Sequence, residues 1–465
     1  MILANKHIQH IHCLGIGGIG VSAIAEILLK KGYHVSGSDV ADNKNTVRLK
    51  NLGAHITLGH AAANIQSADV AVYSSAIAQD NPELIAAKNA QIPLYPRGQF
   101  LAELMRDHYN IVVAGTHGKT TTTGMIVRTL VMANQDPSFA VGGILNDINT
   151  PAHVGQGRYF VAEADESDAS FLFMNPHIAV VTNIDADHLE TYGGSFERLQ
   201  DSFLQFLIKL PPDGVAVLCL DDPVIRRLIP HMRCRTVTYG FSAESDFMGH
   251  HFLQTGLTSQ LTVEHPHGMK ALTVSLNLPG EHNALNALAT IAVAQWLHIE
   301  ETALLRALAH FPGVGRRFHC HGTMQVDGGK ALVIEDYGHH PNEIRATLCA
   351  ARRAWPTQRI VLVFQPHRYT RTRDLMNEFV NILGTVDVLI LLEVYSAGEK
   401  PIAGADGQSL YQAFLSTQRN PTAFVPELAR LPETLKQILH PGDIVILQGA
   451  GNIGTMAVTL TQTHG

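Results

Sequence analysis

The residues best suited to chemistry in this chain form the run Ala114-Gly115-Thr116-His117-Gly118-Lys119-Thr120-Thr121. Gly-Lys-Thr at a junction from strand to helix offers backbone N–H groups and an ammonium to phosphates, and a hydroxyl to Mg²⁺. ATP is the natural ligand. The full G-x-x-x-x-G-K-S/T spacing wants glycine at 113, where Val113 stands, and no Asn-Lys-x-Asp guanine motif occurs. An earlier cluster, Gly15-Ile16-Gly17-Gly18-Ile19-Gly20, fits G-x-G-x-x-G and is followed by Ser38-Asp39. Read literally it binds a dinucleotide, with Asp39 on a ribose. The same turn holds any nucleotide diphosphate at a helix N-terminus, or serves only tight packing of strand on helix.

Two further groups carry ligating atoms. They are Glu163-Ala164-Asp165-Glu166-Ser167-Asp168 and Asn183-Ile184-Asp185-Ala186-Asp187-His188. Each follows an apolar run that reads as a strand, and open parallel sheets place their ligands beyond the C-terminal strand ends. Carboxylate oxygen and imidazole nitrogen suit Mg²⁺ or Mn²⁺ bridging ATP phosphates.

The elements that must position these groups recur in order. A strand over 7–14, a helix over 21–30 and a strand over 33–36 open the chain as βαβ. The pattern stops in the polar stretch 106–110 and restarts with strands at 111–114, 159–162 and 178–182. Residues 214–280 carry short β-rich runs such as 236–239 and 272–276, which predict an antiparallel extension of the central sheet. After Pro312-Gly313-Val314-Gly315, strands at 331–334, 360–364, 386–392 and 444–447 alternate with helical segments. The expected fold class is α/β in three domains: 1–107, 108–312 and 313–465.

Composition narrows the function classes. The chain has 465 residues, too many for one hydrophobic core, and its 46% apolar content is that of a folded protein. A net charge of −7 argues against broad contact with nucleic acid or anionic lipid. No stretch reaches the ~18 uninterrupted apolar residues of a membrane span. Five scattered cysteines, Cys13, Cys219, Cys234, Cys320 and Cys349, form no Cys-x-x-Cys pair. A reducing, cytoplasmic location is expected.

Taken together, GIGGIG, AGTHGKTTTT at 114–123, EADESDASF at 163–171, NIDADH at 183–188, PGEHNALNA at 279–287, GVGRRF at 313–318 and DYGHHP at 336–341 resemble the Mur ligase family. So do QPHRYTRTRDL at 365–375, EVYSAGE at 393–399 and QGAGNIG at 448–454, so the resemblance runs almost end to end. It implies a Rossmann-like N-terminal domain for a UDP-sugar, a central P-loop ATPase domain, and a Rossmann-like C-terminal domain for an amino acid. The sugar nucleotide falls to Gly15, Gly17, Gly18, Ile19, Gly20, Asp39 and Ser74. ATP falls to Gly115, Thr116, His117, Gly118, Lys119, Thr120 and Thr121, with Asn283 and Asn286 on the adenine side, Arg317 on phosphate and Asp336 on the ribose.

The resemblance further implies that Thr120, Glu163 and His188 hold the divalent ions, and that His340, Arg368 and Arg371 contact the substrates. Lys119, Glu163, His188 and Arg317 would then carry catalysis. The implied partners are UDP-N-acetylmuramate and L-alanine, joined through an acyl phosphate in peptidoglycan synthesis; a ligase that instead recycles a murein tripeptide is the alternative. A monomer or homodimer is expected. Sister enzymes carry a carbamylated lysine about one helix after the metal histidine, whereas residues 197–208 contain no lysine, a feature the alanine-adding branch shares.

Overall fold

The computed structural model describes residues 2–3, 6–148, 150–266, 270–416 and 423–461. Its contacts divide into two units. The first comprises Met1–Phe252, Gln260–Leu276 and Asn283–Pro312; the second comprises Leu253–Ser259, Asn277–His282 and Gly313–Gly465. Residue 107, the first boundary expected from sequence, falls inside the first unit, between two separate sheets and just before the strand Tyr109–Ala114.

The first sheet is parallel throughout, with strand order His55–Leu58, His34–Asp39, His10–Leu14, Val70–Tyr73, Leu94–Pro96. Its leading strand starts at His10 and not at His7, because Asp69 takes the backbone N–H groups of Gln9 and His10, each at 2.8 Å. A separate pair, Ile2–Leu3 with Lys6–His7, precedes it. Ile11, Cys13 and Leu14 are fully buried, as expected of a strand covered on both faces.

Polar groups also lie in this core. Glu83, with no exposed surface, accepts from Ser38 Oγ at 2.6 Å and Asn64 Nδ2 at 2.6 Å, and lies 3.3 Å from His12 Nε2. Burial alone would raise its carboxyl; the bonds from His12, Ser38 and Asn64 prevail and hold it near a pKa of about 2.

The central sheet places Tyr109–Ala114 between Tyr159–Glu163 and Ile178–Val181, parallel to both. Val215–Cys219 and Arg235–Gly240 extend it in parallel, followed in sheet order by Phe247–Thr255, Thr258–Glu264 and Leu272–Leu276. The expectation that 236–239 belongs to an antiparallel extension is therefore corrected. Between it and its neighbour runs the helix Pro223–Leu228, capped by Asp222, and that crossover makes the pair parallel. On the other side Ser138–Leu145 pairs in parallel with Tyr159–Glu163, and Thr150–His153 closes the edge antiparallel.

The second unit is a six-stranded sheet in the order His319–Val326, Gly329–Asp336, Ile444–Gln448, Ile360–Phe364, Val388–Leu392, Ala423–Val425. All its pairs are parallel except the first, a hairpin turning at Asp327-Gly328, where Gly328 has φ +81°. The strand His319–Val326 escapes sequence reading because His, Gly, Thr and Gln interrupt any apolar alternation. Among the described residues no helix is long and apolar enough to cross a membrane.

The depressed pKa of Glu83 makes a stability prediction. A carboxyl at 4.5 unfolded and about 2 folded contributes about 3 kcal/mol, fully present above pH 4.5 and lost as pH falls toward 2. Glu83→Gln is expected to lower stability in urea by about that amount at pH 7 and by less than half of it at pH 3. An equal loss at both pH values would contradict the charged network.

Candidate active site

The loop after Tyr109–Ala114 needs two glycines for steric reasons. Gly115 has φ +127°, and a Cβ there would meet Thr182 Oγ1 at 2.2 Å; Gly118, at φ +80°, would meet Asn286 Oδ1 at 2.6 Å. The neighbouring strand end clasps the loop. Asn183 O accepts from Thr116 N at 3.0 Å, Asn183 Oδ1 from His117 N at 2.8 Å, and His117 O from Thr182 Oγ1 at 2.6 Å. Asp185 N donates to Thr116 Oγ1 at 2.9 Å, and Asp185 Oδ2 lies 3.2 Å from His117 Nε2. Position 113 lies inside the strand, fully buried and in register with Glu163 and Val180, so a glycine there has no turn to serve.

Lys119 opens the helix Lys119–Met132, and its side chain is only 13% exposed. Nζ donates to Gly115 O at 2.6 Å and Thr116 O at 3.0 Å, and lies 2.8 and 3.1 Å from the two carboxylate oxygens of Glu166. Burial favours the neutral amine, but Glu166, Asp165 and Glu163 outweigh it and raise the lysine pKa. Glu166 itself is pushed up to about 7, by burial first and by Asp165, against the pull of Lys119. The ammonium thus stays charged beside the helix N-terminus, where anions are held.

Next to it, Thr120 Oγ1 donates to Glu163 Oε1 at 3.0 Å, while Glu163 Oε2 accepts from Gly142 N at 2.7 Å. These hard oxygen donors, joined at a phosphate loop, fit Mg²⁺ or Mn²⁺. His188, grouped with them by sequence, stands in the left-handed region at φ 56°, with Nε2 3.6 Å from Asp187 Oδ2. Asn283 and Asn286 share a helix face, as their spacing predicts, bonded at 3.3 Å. Asn286 also accepts from Thr122 Oγ1 at 3.1 Å, so it braces the phosphate-loop helix.

The first glycine turn belongs to the same unit. Gly15 N and Ile16 N donate to Ser38 O at 2.9 and 3.1 Å, and Gly17 N to Asp39 Oδ2 at 2.8 Å. Asp39 thus clasps the turn with one oxygen and takes Val40 N with the other. Gly18 N–H bonds Gly15 O at 3.1 Å, Ile19 and Gly20 begin the helix Ile19–Lys30, and Ser74 lies against Gly15.

Sequence reasoning missed how this unit is tied together. Arg97 Nη2 reaches Asp165 Oδ2 at 2.6 Å and Asp168 Oδ2 at 2.9 Å, and Glu166 is the partner of Lys119. The acidic run signalled charge; nothing local announced that one of its partners lies about seventy residues earlier.

In the second unit, Arg317 lies 3.4 Å from Glu343 Oε1 with its guanidinium over the Tyr337 ring at 4.9 Å. Asp336 accepts from Phe318 N, Gly338 N and Thr347 Oγ1 at 2.9 Å and Gln448 Nε2 at 3.0 Å; burial raises its pKa against Arg317. It is a brace at the C-terminal strand ends. His340 is buried and caps the helix Pro341–Ala354. Arg368 lies 3.9 Å from Glu399 and sits at φ 70°, a costly conformation for arginine, fixed by Arg368 N–H to Tyr395 O at 2.9 Å. Arg371 is buried and folds back on His367, whose O accepts at 3.1 Å. These contacts of the two guanidiniums go to different protein groups.

With this geometry in hand, comparisons place the chain among known proteins. Residues 10–109 match the model of the Mur ligase family catalytic domain, 113–294 the Mur ligase middle domain, and 316–451 the Mur ligase glutamate ligase domain. The chain is 59% identical, over all 465 residues and 100% of both chains, to the UDP-N-acetylmuramate–L-alanine ligase of Coxiella burnetii (strain RSA 493 / Nine Mile phase I). The crystal structure of the UDP-N-acetylmuramate–alanine ligase of Thermotoga maritima matches with TM-score 0.83 and 30% identity, covering 98% of this chain and 99% of the other. A murein peptide ligase from Psychrobacter arcticus 273-4 shares the fold, with TM-score 0.73, 22% identity, and 98% and 99% coverage.

Gly115 and Gly59, the latter just after the strand His55–Leu58, both have positive φ, but only Gly115 also lacks room for a Cβ. Gly115→Ala is expected to abolish binding of a non-hydrolysable ATP analogue in calorimetric titration. Gly59→Ala, at φ +86° but with nothing within 4 Å, is expected to bind it normally. Normal binding by Gly115→Ala would show that the loop has another conformation to use.

Proposed function

The chain belongs to the Mur ligase family, and from that premise we propose that it joins L-alanine to the lactyl carboxylate of UDP-N-acetylmuramate, using ATP, in peptidoglycan synthesis. The observation that carries this reading is identity over the full length of a ligase bearing that name, in a chain whose phosphate loop is assembled. Five free cysteines and an intracellular nucleotide substrate support a cytoplasmic location.

A carboxylate is a poor electrophile and hydroxide a poor leaving group, so the reaction proceeds by phosphorylation. The lactyl carboxylate attacks the γ-phosphorus of ATP, ADP leaves, and an acyl phosphate forms. The neutral α-amine of L-alanine adds to the acyl carbon, and the tetrahedral intermediate expels phosphate to give the amide. Lys119 is assigned to the β/γ-phosphates, where its retained charge meets the charge spreading over the transferring group. Thr120 and Glu163 are assigned to a divalent ion, which supplies further charge neutralisation when bound, and His188 to a second. Arg317 is assigned to phosphate, Asp336 to the ribose, Asn283 and Asn286 to the adenine side, and His340, Arg368 and Arg371 to substrate. The strained backbone of Arg368 supports a binding role for it.

Purified protein with ATP and Mg²⁺ is expected to consume L-alanine, glycine and L-serine more weakly, and L-Ala-γ-D-Glu-meso-diaminopimelate negligibly. Preference for the tripeptide would assign the chain to recycling and leave the ligase chemistry intact. Lys119→Ala is expected to lower turnover by roughly 10³-fold or more while UDP-N-acetylmuramate still binds. Loss of both in a folded variant would contradict the assignment of the sugar nucleotide to the N-terminal glycine turn.

A further inference from the structure

One guanidinium lies between the first glycine turn and the acidic run that flanks the second. Arg97 is the first residue of the helix Arg97–Leu104, and that helix is pressed so close to the acidic run that a Cβ on Gly98 would meet Ser170 Cβ at 2.4 Å. Nη2 binds Asp165 Oδ2 and Asp168 Oδ2, and Nε binds Asp168 Oδ2 at 3.2 Å. Both carboxylates are aimed by their own turn: Asp165 Oδ1 accepts from Ser167 N at 2.9 Å and Asp168 Oδ1 from Ser170 N at 3.0 Å. Nη1 is turned the other way, onto the first glycine turn, where a Cβ on Gly20 would come within 2.5 Å of it. Between the two aspartates stands Glu166, the partner of Lys119.

We propose that Arg97 is a positioning residue that couples the sugar-nucleotide turn to the ATP loop, through Asp165 and Asp168 to Glu166 and Lys119. The proposal rests on the reading that the first turn holds the diphosphate of UDP-N-acetylmuramate. A diphosphate at the start of the helix Ile19–Lys30 gives Nη1 an anionic partner and restrains the guanidinium. The planar fork transmits that restraint to both aspartates, and through their turn to the carboxylate that orients Lys119. Gly20 is required by the same contact, since any side chain there displaces Nη1.

The test measures binding of UDP-N-acetylmuramate to the full chain with and without a non-hydrolysable ATP analogue and Mg²⁺, with steady-state kinetics alongside. In the wild type the analogue is expected to tighten the sugar nucleotide about fivefold or more; in Arg97→Gln the ratio falls to about one while affinity for the analogue alone stays within about twofold. Arg97→Lys, which keeps the charge but lacks the fork, is expected to restore little of the ratio. Asp168→Asn leaves Arg97 in place and carries the test if Arg97→Gln fails to fold. In folded Arg97→Gln and Asp168→Asn kcat is expected to fall more than KM for ATP rises. A lowered Tm with an unchanged ratio would make the bridge merely structural and overturn the coupling. A wild type that binds both ligands independently overturns it too, while a wild type that neither binds UDP-N-acetylmuramate nor consumes L-alanine overturns the reaction assignment and the coupling together.

Discussion

An ammonium group removed from water must be given acceptors, and the first unit is organised around that demand at Lys119. Two carbonyls of its own loop and the carboxylate of Glu166 satisfy it. The carbonyls are available because Gly115 and Gly118 adopt left-handed backbone conformations that favour glycine, and the carboxylate because the acidic run follows directly on the strand Tyr159–Glu163, whose ladder continues with Ala164 N donating to Val113 O at 2.9 Å. The charge survives burial since three acids lie around it. A cation held in this way has its desolvation cost met and its positive charge in place before any ligand arrives.

Two buried glutamates show how neighbours decide charge. Glu83 is pulled well below the usual carboxylate range by donors that converge on it, and Glu166 is raised although a lysine touches it, because Asp165 and deep burial act together. Glu83 secures Ser38, whose backbone oxygen anchors the first glycine turn. Glu166 secures the second. Each loop is therefore supported by an acid lying outside its own glycine pattern.

What the sequence reveals and what it hides follow from the range of the interactions. The strand, glycine loop and helix around 109–132 are local, and so is the pairing of Asn283 with Asn286 one helical turn on. Thr120 with Glu163 was implied by the family resemblance, and the sheet accounts for it, because the lysine loop and Glu163 lie at the C-terminal ends of adjacent parallel strands. Arg97 reaching Asp165 and Asp168 joins separate sheets, and no periodicity reports such a contact. His340, read as a substrate contact, also has a helix to cap, and the run after 360–364 gives two guanidiniums whose spacing alone does not say that one turns to Glu399 and the other to His367. The parallel course of Arg235–Gly240 depended on a six-residue helix too short to stand out.

The register of the central strands has a consequence for how such a chain can vary in length. Val113 lies opposite Glu163 on one side and Val180 on the other, so three strands end level and deliver the lysine loop, the acidic run and the loop-clasping residues to one edge. Side chains alternate between faces, so inserting or deleting one residue within 159–163 would send Glu163 to the opposite face and exchange it with Ala162 or Ala164. Segments at the opposite ends of these strands carry no such phase requirement. Length changes are expected to be tolerated there, whereas the edge that carries the lysine loop and the acidic run keeps count to the single residue.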